Sequence, residues 1–189
     1  MKKLFALLAA ALLLAAMAAG CGGAPAKQSG SGGTSGGAAA TQAAGTVFDA
    51  GKVSVEVPSG WKAYPKPDTF DDYEGDNDPY SLSVYKGATN DYDMMDKPGI
   101  QITTYGGDTE MAAPSKDLYT ETKDISATKL GSYTYEGFSG KSSDTPLIML
   151  WTDKDAQILI TIWPENTGGK IALDDADVQS LLGSIAVKK

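Results

Sequence analysis

The segment LIMLWTDKDAQILITIW, residues 147–163, decides the predicted fold. It consists of two short, nearly continuous apolar runs, 147–151 and 158–163, separated by a polar stretch that is typical of a turn. Both runs are short and contain β-branched and aromatic residues, which favours strands over the competing helical interpretation. We therefore predict an antiparallel hairpin at the centre of a sheet.

Further strands are predicted on both sides of this hairpin. Three segments alternate between apolar and polar residues, the period of a strand with one buried face: Val53–Val57, Tyr80–Lys86 and Gly99–Tyr105. A Thr-, Tyr- and Gly-rich stretch, 128–140, adds a strand around Tyr133. The chain downstream of residue 46 is therefore expected to be dominated by strands joined by turns.

Two segments carry helical signals. Pro114–Glu121 is short, with Ser115 as a candidate cap. The second segment is 173–185, whose apolar residues recur at the spacing of one helix face: Val178, Leu181, Leu182 and Ile185. Asp174 is expected to cap its first turn. We therefore predict an α+β domain, in which helices cover an antiparallel β-sheet.

The amino-terminal residues predict export. Two lysines precede an uninterrupted apolar run, 4–19, which stops just before the only cysteine, Cys21. This order is typical of a secretory signal, and the run is shorter than the ~18–20 residues that span a bilayer. A core helix is disfavoured because the run has no polar face. We predict that residues 1–20 are a signal peptide.

The residues at the predicted cleavage site resemble the lipobox of bacterial lipoproteins, usually Leu-Ala/Ser-Gly/Ala-Cys. This chain reads Ala18-Ala19-Gly20-Cys21, with alanine at the usual leucine. The resemblance implies that the Cys21 thiol carries a lipid such as palmitate, which would anchor the protein on the extracytoplasmic face of the cell membrane. An ordinary cleaved signal with an unmodified cysteine is the alternative.

The mature chain divides into a linker and a domain. Residues 21–46 consist mostly of Gly, Ser and Ala without a large apolar residue, so we expect a flexible, lipid-anchored linker. Residues 47–189 are enough for one domain with its own core. No cysteine follows Cys21, so the domain is expected to be stable without disulfides.

Charge and composition restrict the function. The formal net charge is −8, and removal of residues 1–20 takes away two lysines and no acid, which makes it −10. This acidic balance argues against nucleic acid as a partner. Histidine is absent, which excludes Ser-His and Cys-His nucleophile activation. We expect no cofactor and a non-enzymatic binding or scaffolding module at the cell envelope, with an envelope protein or glycan as partner.

An acidic stretch, DDYEGDNDPY at 71–80, is the most conspicuous polar group, and NDYDMMD at 90–96 follows it. Its alternating carboxylates are candidate Ca²⁺ ligands, since hard oxygen ligands suit this cation. They are Asp72, Glu74, Asp76 and Asp78. The EF-hand spacing is absent, and a solvated acidic loop is the alternative interpretation.

Aromatic residues lie close to this stretch in sequence: Trp61, Tyr64, Phe70, Tyr73 and Tyr80. They predict either a sugar- or peptide-binding surface or ordinary core residues. The sequence is also compatible with two other functions. One is a carboxylate-dependent enzyme acting on envelope glycans, which needs only two acids at a set separation. The other is a calcium-stabilised surface adhesion or stress module.

Three segments resemble the PsbP-like fold, which is named for an extrinsic photosystem II subunit and also occurs in bacterial lipoproteins. They are VSVEVPSGW at 53–61, the hairpin at 147–163 and LDDADVQSLLGSI at 173–185. The resemblance covers about residues 47–187. It implies an α/β/α sandwich and a binding or assembly role rather than catalysis.

Overall fold

The computed structural model describes residues 45–67, 77–106, 109–152 and 156–188. Strands account for 55% of these residues and helical turns for 12%, with one α-helix. The predicted α+β fold, an α/β/α sandwich with helices covering the sheet, is therefore wrong, because this part of the chain is dominated by β-sheet. The predicted signal peptide and nearly all of the predicted linker lie outside the described residues.

The described residues form twelve strands: β1 Thr46–Asp49, β2 Val53–Val57, β3 Trp61–Pro67, β4 Asn77–Lys86, β5 Gly99–Thr104, β6 Thr120–Leu130, β7 Tyr133–Ser142, β8 Thr145–Trp151, β9 Ile158–Trp163, β10 Glu165–Asn166, β11 Gly169–Lys170 and β12 Ala186–Val187. The helix α1 is Ala176–Gly183, and two 3₁₀ turns span Asp91–Met95 and Lys116–Leu118. Seven strands form the main sheet, in the order β3-β4-β5-β9-β8-β7-β6, and all neighbours are antiparallel. A small sheet has the order β1-β2-β12, and β10 pairs with β11.

The predicted central hairpin is confirmed. Strands β8 and β9 pair with Ile148 opposite Ile162 and Leu150 opposite Ile160. Strand β9 is the fourth of the seven strands, so the hairpin lies in the middle of the main sheet. The two apolar runs form strands here because each one is covered by a neighbouring strand on both of its edges, which satisfies the backbone hydrogen bonds.

One face of the main sheet, called the core face, holds the larger apolar cluster. Alternation along the strands brings together side chains that are almost fully buried: Leu82, Val84, Ile100, Ile102, Ile158, Ile160 and Ile162. Strand β2 and helix α1 pack against this face through buried residues such as Val55 and Leu181. Full burial of each such side chain contributes about 1.5–3 kcal/mol to folding. The sheet and its second layer therefore share this core, and a smaller cluster is buried on the opposite face of the sheet.

The C-terminal helix is confirmed, but it is shorter than predicted. It begins after Asp175, which is the N-cap in place of the predicted Asp174. The Asp175 carboxylate accepts a hydrogen bond from the backbone N–H of Ala172, 2.9 Å away, and makes none to the first turn of the helix. The predicted apolar stripe is buried against the core face, as its spacing requires.

The helix predicted at 114–121 is wrong beyond its first turn. Ser115 caps a 3₁₀ turn as expected, with its hydroxyl accepting from the N–H of Asp117. Tyr119 then has extended backbone angles, and the chain enters β6 at Thr120. Pairing with β7 satisfies the backbone of this segment, and that tertiary contact outweighs its weak local helical preference. No helix in the described part of the chain is long and apolar enough to cross a membrane.

Candidate functional site

The face of the main sheet opposite the core face is the first candidate surface, called here the open face. The register places six of its side chains on the central strands: Tyr85, Gln101, Thr103, Trp151, Thr161 and Trp163. All six are half-buried. The one α-helix of the described residues packs on the core face, so it does not cover them. The β7–β8 side of the open face holds a second, smaller buried cluster, Phe138, Leu147 and Met149, and Trp151 packs against it.

The central strands carry no charged side chain on the open face. This holds for every open-face position of β4, β5, β9 and β8, although 21% of the whole chain is charged. Charged residues border the area on the outer strands, with Lys62 on β3 beside Tyr85 and Glu136 on β7 beside Trp151. Burial raises the pKa of Tyr85, so its phenol also stays neutral.

The polar side chains of the open face form short-range hydrogen bonds. The Ser81 and Thr103 hydroxyl oxygens are 2.9 Å apart, and the Gln101 amide nitrogen donates to the Thr103 hydroxyl over 3.4 Å. The Thr161 hydroxyl donates to the Met149 sulfur, 3.5 Å away. These contacts orient uncharged donors and acceptors beside the two tryptophans, and Ser81 itself is fully buried.

The second candidate surface is residues 88–97, called here the protrusion. Its centre is the 3₁₀ turn Asp91–Met95, closed by a capping box. The Asn90 side chain accepts from the N–H of Tyr92 at 2.9 Å, and the Asp93 carboxylate accepts from the N–H of Thr89 at 2.6 Å. The hydrogen bonds from Thr89 and Asn90 hold the pKa of Asp93 below its usual value. The turn is therefore fixed by its own side chains.

Strand β3 holds the protrusion from one side. The Tyr64 hydroxyl donates to the carbonyl oxygen of Asn90 over 2.6 Å. The Lys62 ammonium donates to the carbonyl oxygen of Thr89 over 3.3 Å and pairs with Asp91 at 3.4 Å. Because Lys62 and Tyr64 point to the open face, the protrusion contacts that face at its β3 border.

The β10–β11 hairpin holds the protrusion from the other side. The Asn166 amide nitrogen donates to the carbonyl oxygen of Met95 over 3.1 Å. The backbone N–H of Gly168 donates to the carbonyl oxygen of Asp96 over 2.6 Å. Residues from two distant parts of the chain, β3 and the β10–β11 hairpin, thus fix this short segment, and sequence spacing does not reveal this arrangement.

The protrusion nevertheless exposes large apolar side chains. Tyr92 is 85% exposed, Met95 is 82% exposed and Met94 is 36% exposed. The described residues include only two other exposed large apolar side chains, Val47 and Leu118. Three of the five are therefore concentrated in four consecutive positions. Contiguous exposed apolar groups on an ordered segment mark interaction sites in soluble domains.

Three of the four predicted calcium ligands lie outside the described residues, so the calcium site stays a prediction. These three are Asp72, Glu74 and Asp76, and Cys21 lies outside the described residues as well. Asp78 is described, and its carboxylate accepts from the backbone N–H of Tyr80 at 2.9 Å. Within the described ranges, no three acidic, cysteine or histidine side chains are placed to hold a metal ion.

The aromatic residues near the acidic stretch have different locations. Trp61 is buried on the core face, where its indole N–H donates to Asp177 over 2.9 Å. Tyr64 supports the protrusion, and Tyr80 is half-buried on the core-face side of β4. Phe70 and Tyr73 lie outside the described residues. These aromatics therefore do not form one binding surface in the described residues.

Trp151 and Trp163 were missed as candidate site residues. The sequence analysis placed both in the hairpin at the centre of the sheet, whose two runs are almost continuously apolar, and did not separate its two faces. A weak signal was available in β9, where Thr161 and Trp163 occupy odd positions and the three isoleucines occupy even positions. That parity separates a buried face from a half-buried one.

The fold and these surfaces define a class of protein: a mostly β domain with an uncharged aromatic sheet face and an ordered apolar protrusion beside it. Comparison of the chain with protein-family models, with curated proteins and with solved structures finds no match.

Proposed function

We propose that this protein is a lipid-anchored extracytoplasmic lipoprotein whose domain binds another envelope protein through the protrusion and performs no covalent chemistry. The observation that carries the proposal is the exposure of Tyr92 and Met95 on a turn that is fixed by hydrogen bonds. The lipobox-like residues that end at Cys21 support the anchoring. The acidic charge supports a partner other than nucleic acid.

The residue types of the protrusion suit protein recognition. Tyrosine and methionine are enriched in the buried centres of protein interfaces, and a few such residues supply most of the binding free energy. Full burial of the Met95 side chain in a partner's pocket would contribute about 1.5–3 kcal/mol. Because the turn is already ordered, binding would cost little conformational entropy.

The charges around the protrusion indicate the character of the partner. Asp91, Asp93 and Asp96 flank the exposed apolar side chains within six residues. Complementary potentials favour association, whereas like charges facing each other across an interface disfavour it. The partner is therefore a protein with an apolar pocket and a basic rim. The same acids disfavour insertion of the protrusion into anionic lipid.

The anchor has a direct test. Replacing Cys21 with alanine removes the thiol that the lipid would occupy, so the full-length protein should lose lipid labelling and leave the membrane fraction. Cells are labelled with an alkyne fatty acid and then fractionated. Cys21→Ser serves as a second variant with a similar side-chain size. Unchanged labelling and membrane retention of both variants would contradict the lipoprotein assignment.

The protrusion is tested by site-specific photo-crosslinking of the full-length chain in its own cells. A photoreactive phenylalanine derivative replaces Tyr92 in one variant and Leu118 in a matched variant, because Leu118 is similarly exposed at 77%. We expect a discrete protein adduct from position 92 only, which the additional substitution Met95→Ser removes.

Equal adducts from positions 92 and 118 would contradict the proposal, as would an adduct at 92 that survives Met95→Ser. Thermal melting of each variant checks that the fold is retained. Since Tyr92 and Met95 are both almost fully exposed, neither substitution is expected to lower the melting temperature measurably.

A further inference from the structure

The central strands carry no charged side chain on the open face, and this restricts the charge of a ligand that binds there. The open-face positions of its four central strands are uncharged, as described above, in a chain with 24 acids and 16 lysines. A charged ligand on this area would lose its hydration without gaining a counter-charge. The complementary ligand is therefore neutral.

Two tryptophans provide apolar contact area at separate points of the open face. Trp151 pairs with Leu159, and Trp163 lies four residues further along β9. This separation corresponds to about 13 Å along the strand. Both indoles are half-buried, so each retains accessible surface. The Trp151 ring also packs edge-to-face against the buried ring of Phe138, with 6.0 Å between the ring centroids. A ligand that contacts both must be an extended chain rather than a single small ring.

The area between the tryptophans combines uncharged polar groups with the buried side chain of Met149, which lies opposite Thr161 on β8. Thr161 lies on β9 midway between Leu159 and Trp163, and Gln101 is its partner on β5. The Gln101 amide nitrogen donates to Thr103, which leaves the Gln101 carbonyl oxygen without a donor among the described residues. The ligand must therefore carry its own uncharged donors and acceptors next to apolar patches.

The ligand is therefore neutral, extended, and carries uncharged hydrogen-bonding groups next to apolar patches. A sugar polymer has all three properties, since its rings have apolar C–H faces and its hydroxyl groups both donate and accept hydrogen bonds. An apolar protein surface, including a second copy of this chain, would desolvate the Gln101 carbonyl oxygen without offering it a hydrogen-bond donor. We propose that the open face binds a neutral polysaccharide chain, with Trp151 and Trp163 as aromatic platforms and Gln101 and Thr161 as polar contacts.

This inference goes beyond the proposed function, because it concerns a different surface and a different ligand class. The probes are tetra-N-acetylchitotetraose and dextran, which are neutral, and hyaluronate, which is an acidic sugar polymer. The full-length chain is kept in a detergent without a sugar headgroup, and binding is measured by titration calorimetry. We expect saturable binding of at least one neutral probe, and weaker or absent binding of hyaluronate.

Substitutions on the open face and on the core face show which of the two faces binds the sugar. Trp163→Ala should raise the Kd roughly tenfold, the change expected from loss of one aromatic contact. Thr161→Val keeps the shape of the side chain and should raise the Kd several-fold through one lost hydrogen bond. Trp61→Phe alters a tryptophan that is buried on the core face and should leave the Kd unchanged.

The result of the sugar-binding experiment does not depend on whether the protrusion binds a protein partner. The double substitution Tyr92→Ser and Met95→Ser should leave sugar binding unchanged, so failure of the photo-crosslinking test would not affect this inference. Absence of saturable binding by both neutral probes would overturn it. So would tighter binding of hyaluronate, or a Kd that neither Trp163→Ala nor Thr161→Val alters while melting shows that both variants are folded.

Discussion

At the scale of single residues, Tyr135 is the least well satisfied side chain of the core. It is completely buried on the core face of β7, and its hydroxyl oxygen has no hydrogen-bond partner among the described residues. Burial, together with the nearby Tyr133, raises the pKa of Tyr135 well above its usual value. The ring contributes apolar burial, whereas the hydroxyl loses its bonds to water without compensation.

Tyr135→Phe should therefore stabilise the domain. Removing a buried, unsatisfied hydroxyl relieves a cost of about 1–3 kcal/mol, partly offset by the small cavity that replaces the oxygen. We expect a gain of about 1 kcal/mol, equivalent to a rise of about 2–4 °C in Tm. Circular dichroism melting of the full chain measures it. Tyr133→Phe is the control, because Tyr133 is only half-buried. A lower Tm for Tyr135→Phe than for the wild type would refute this account.

At the scale of elements, the turn between β6 and β7 packs against the end of α1. Gly131 occupies this turn with a φ of 59°, in the left-handed region that favours glycine. A Cβ on Gly131 would overlap the carbonyl oxygen of Gly183, the last residue of α1. The turn and the helix end can approach this closely only because residue 131 has no side chain.

Gly131→Ala should destabilise the domain by about 2 kcal/mol or more, because backbone strain adds to a clash with backbone atoms that have little freedom to move. The matched control is Gly60→Ala. Gly60 also has a positive φ, 81°, but nothing lies within 4 Å of the added Cβ. It should cost only the strain, about 1 kcal/mol. Urea denaturation compares the two variants, and equal losses would refute the proposed contact.

At the scale of the whole molecule, a polar cluster joins α1 to the main sheet. The Asp177 carboxylate in the first turn of α1 pairs with Lys86 on β4 at 2.7 Å and accepts from the Trp61 indole on β3 at 2.9 Å. Desolvation tends to raise the pKa of Asp177, but the hydrogen bonds from Lys86 and Trp61 outweigh it, so this pKa lies below the usual 3.8. The folded state therefore favours the charged form.

This lowered pKa makes part of the stability pH-dependent. The contribution is fully present above the pKa of the unfolded chain, near 3.8, and is lost as the pH falls through the lower folded value. Asp177→Asn should cost about 1–2 kcal/mol at pH 7. The difference from wild type should shrink as the pH falls below about 4. Asp174→Asn, at an exposed position, is the control. A difference that stays constant down to pH 2 would contradict this coupling.

Several strands could be predicted from the local sequence, because burial of a strand on one face or on both leaves a recognisable pattern of apolar residues. Alternation predicted β2, β4 and β5, and the two apolar runs predicted the β8–β9 hairpin. Strand β6 was missed, and its first residues were assigned to a helix, because the strand lies at a sheet edge. Most of its side chains are exposed, and irregularities in its pairing with β7 interrupt the alternation. This segment forms a strand because it pairs with β7.

The sequence alone determined strands β2, β4 and β5, the β8–β9 hairpin at the apolar centre of the sheet and the prediction of an anchor at Cys21, because these depend on neighbouring residues. Only the tertiary structure decided which sheet face α1 covers, and hence that Trp151 and Trp163 lie on the open face. It also decided that Asp93 holds a turn and that Tyr92 and Met95 are exposed. These features depend on contacts such as Tyr64 with Asn90 and Asn166 with Met95, which join residues 26 and 71 positions apart and leave no local pattern.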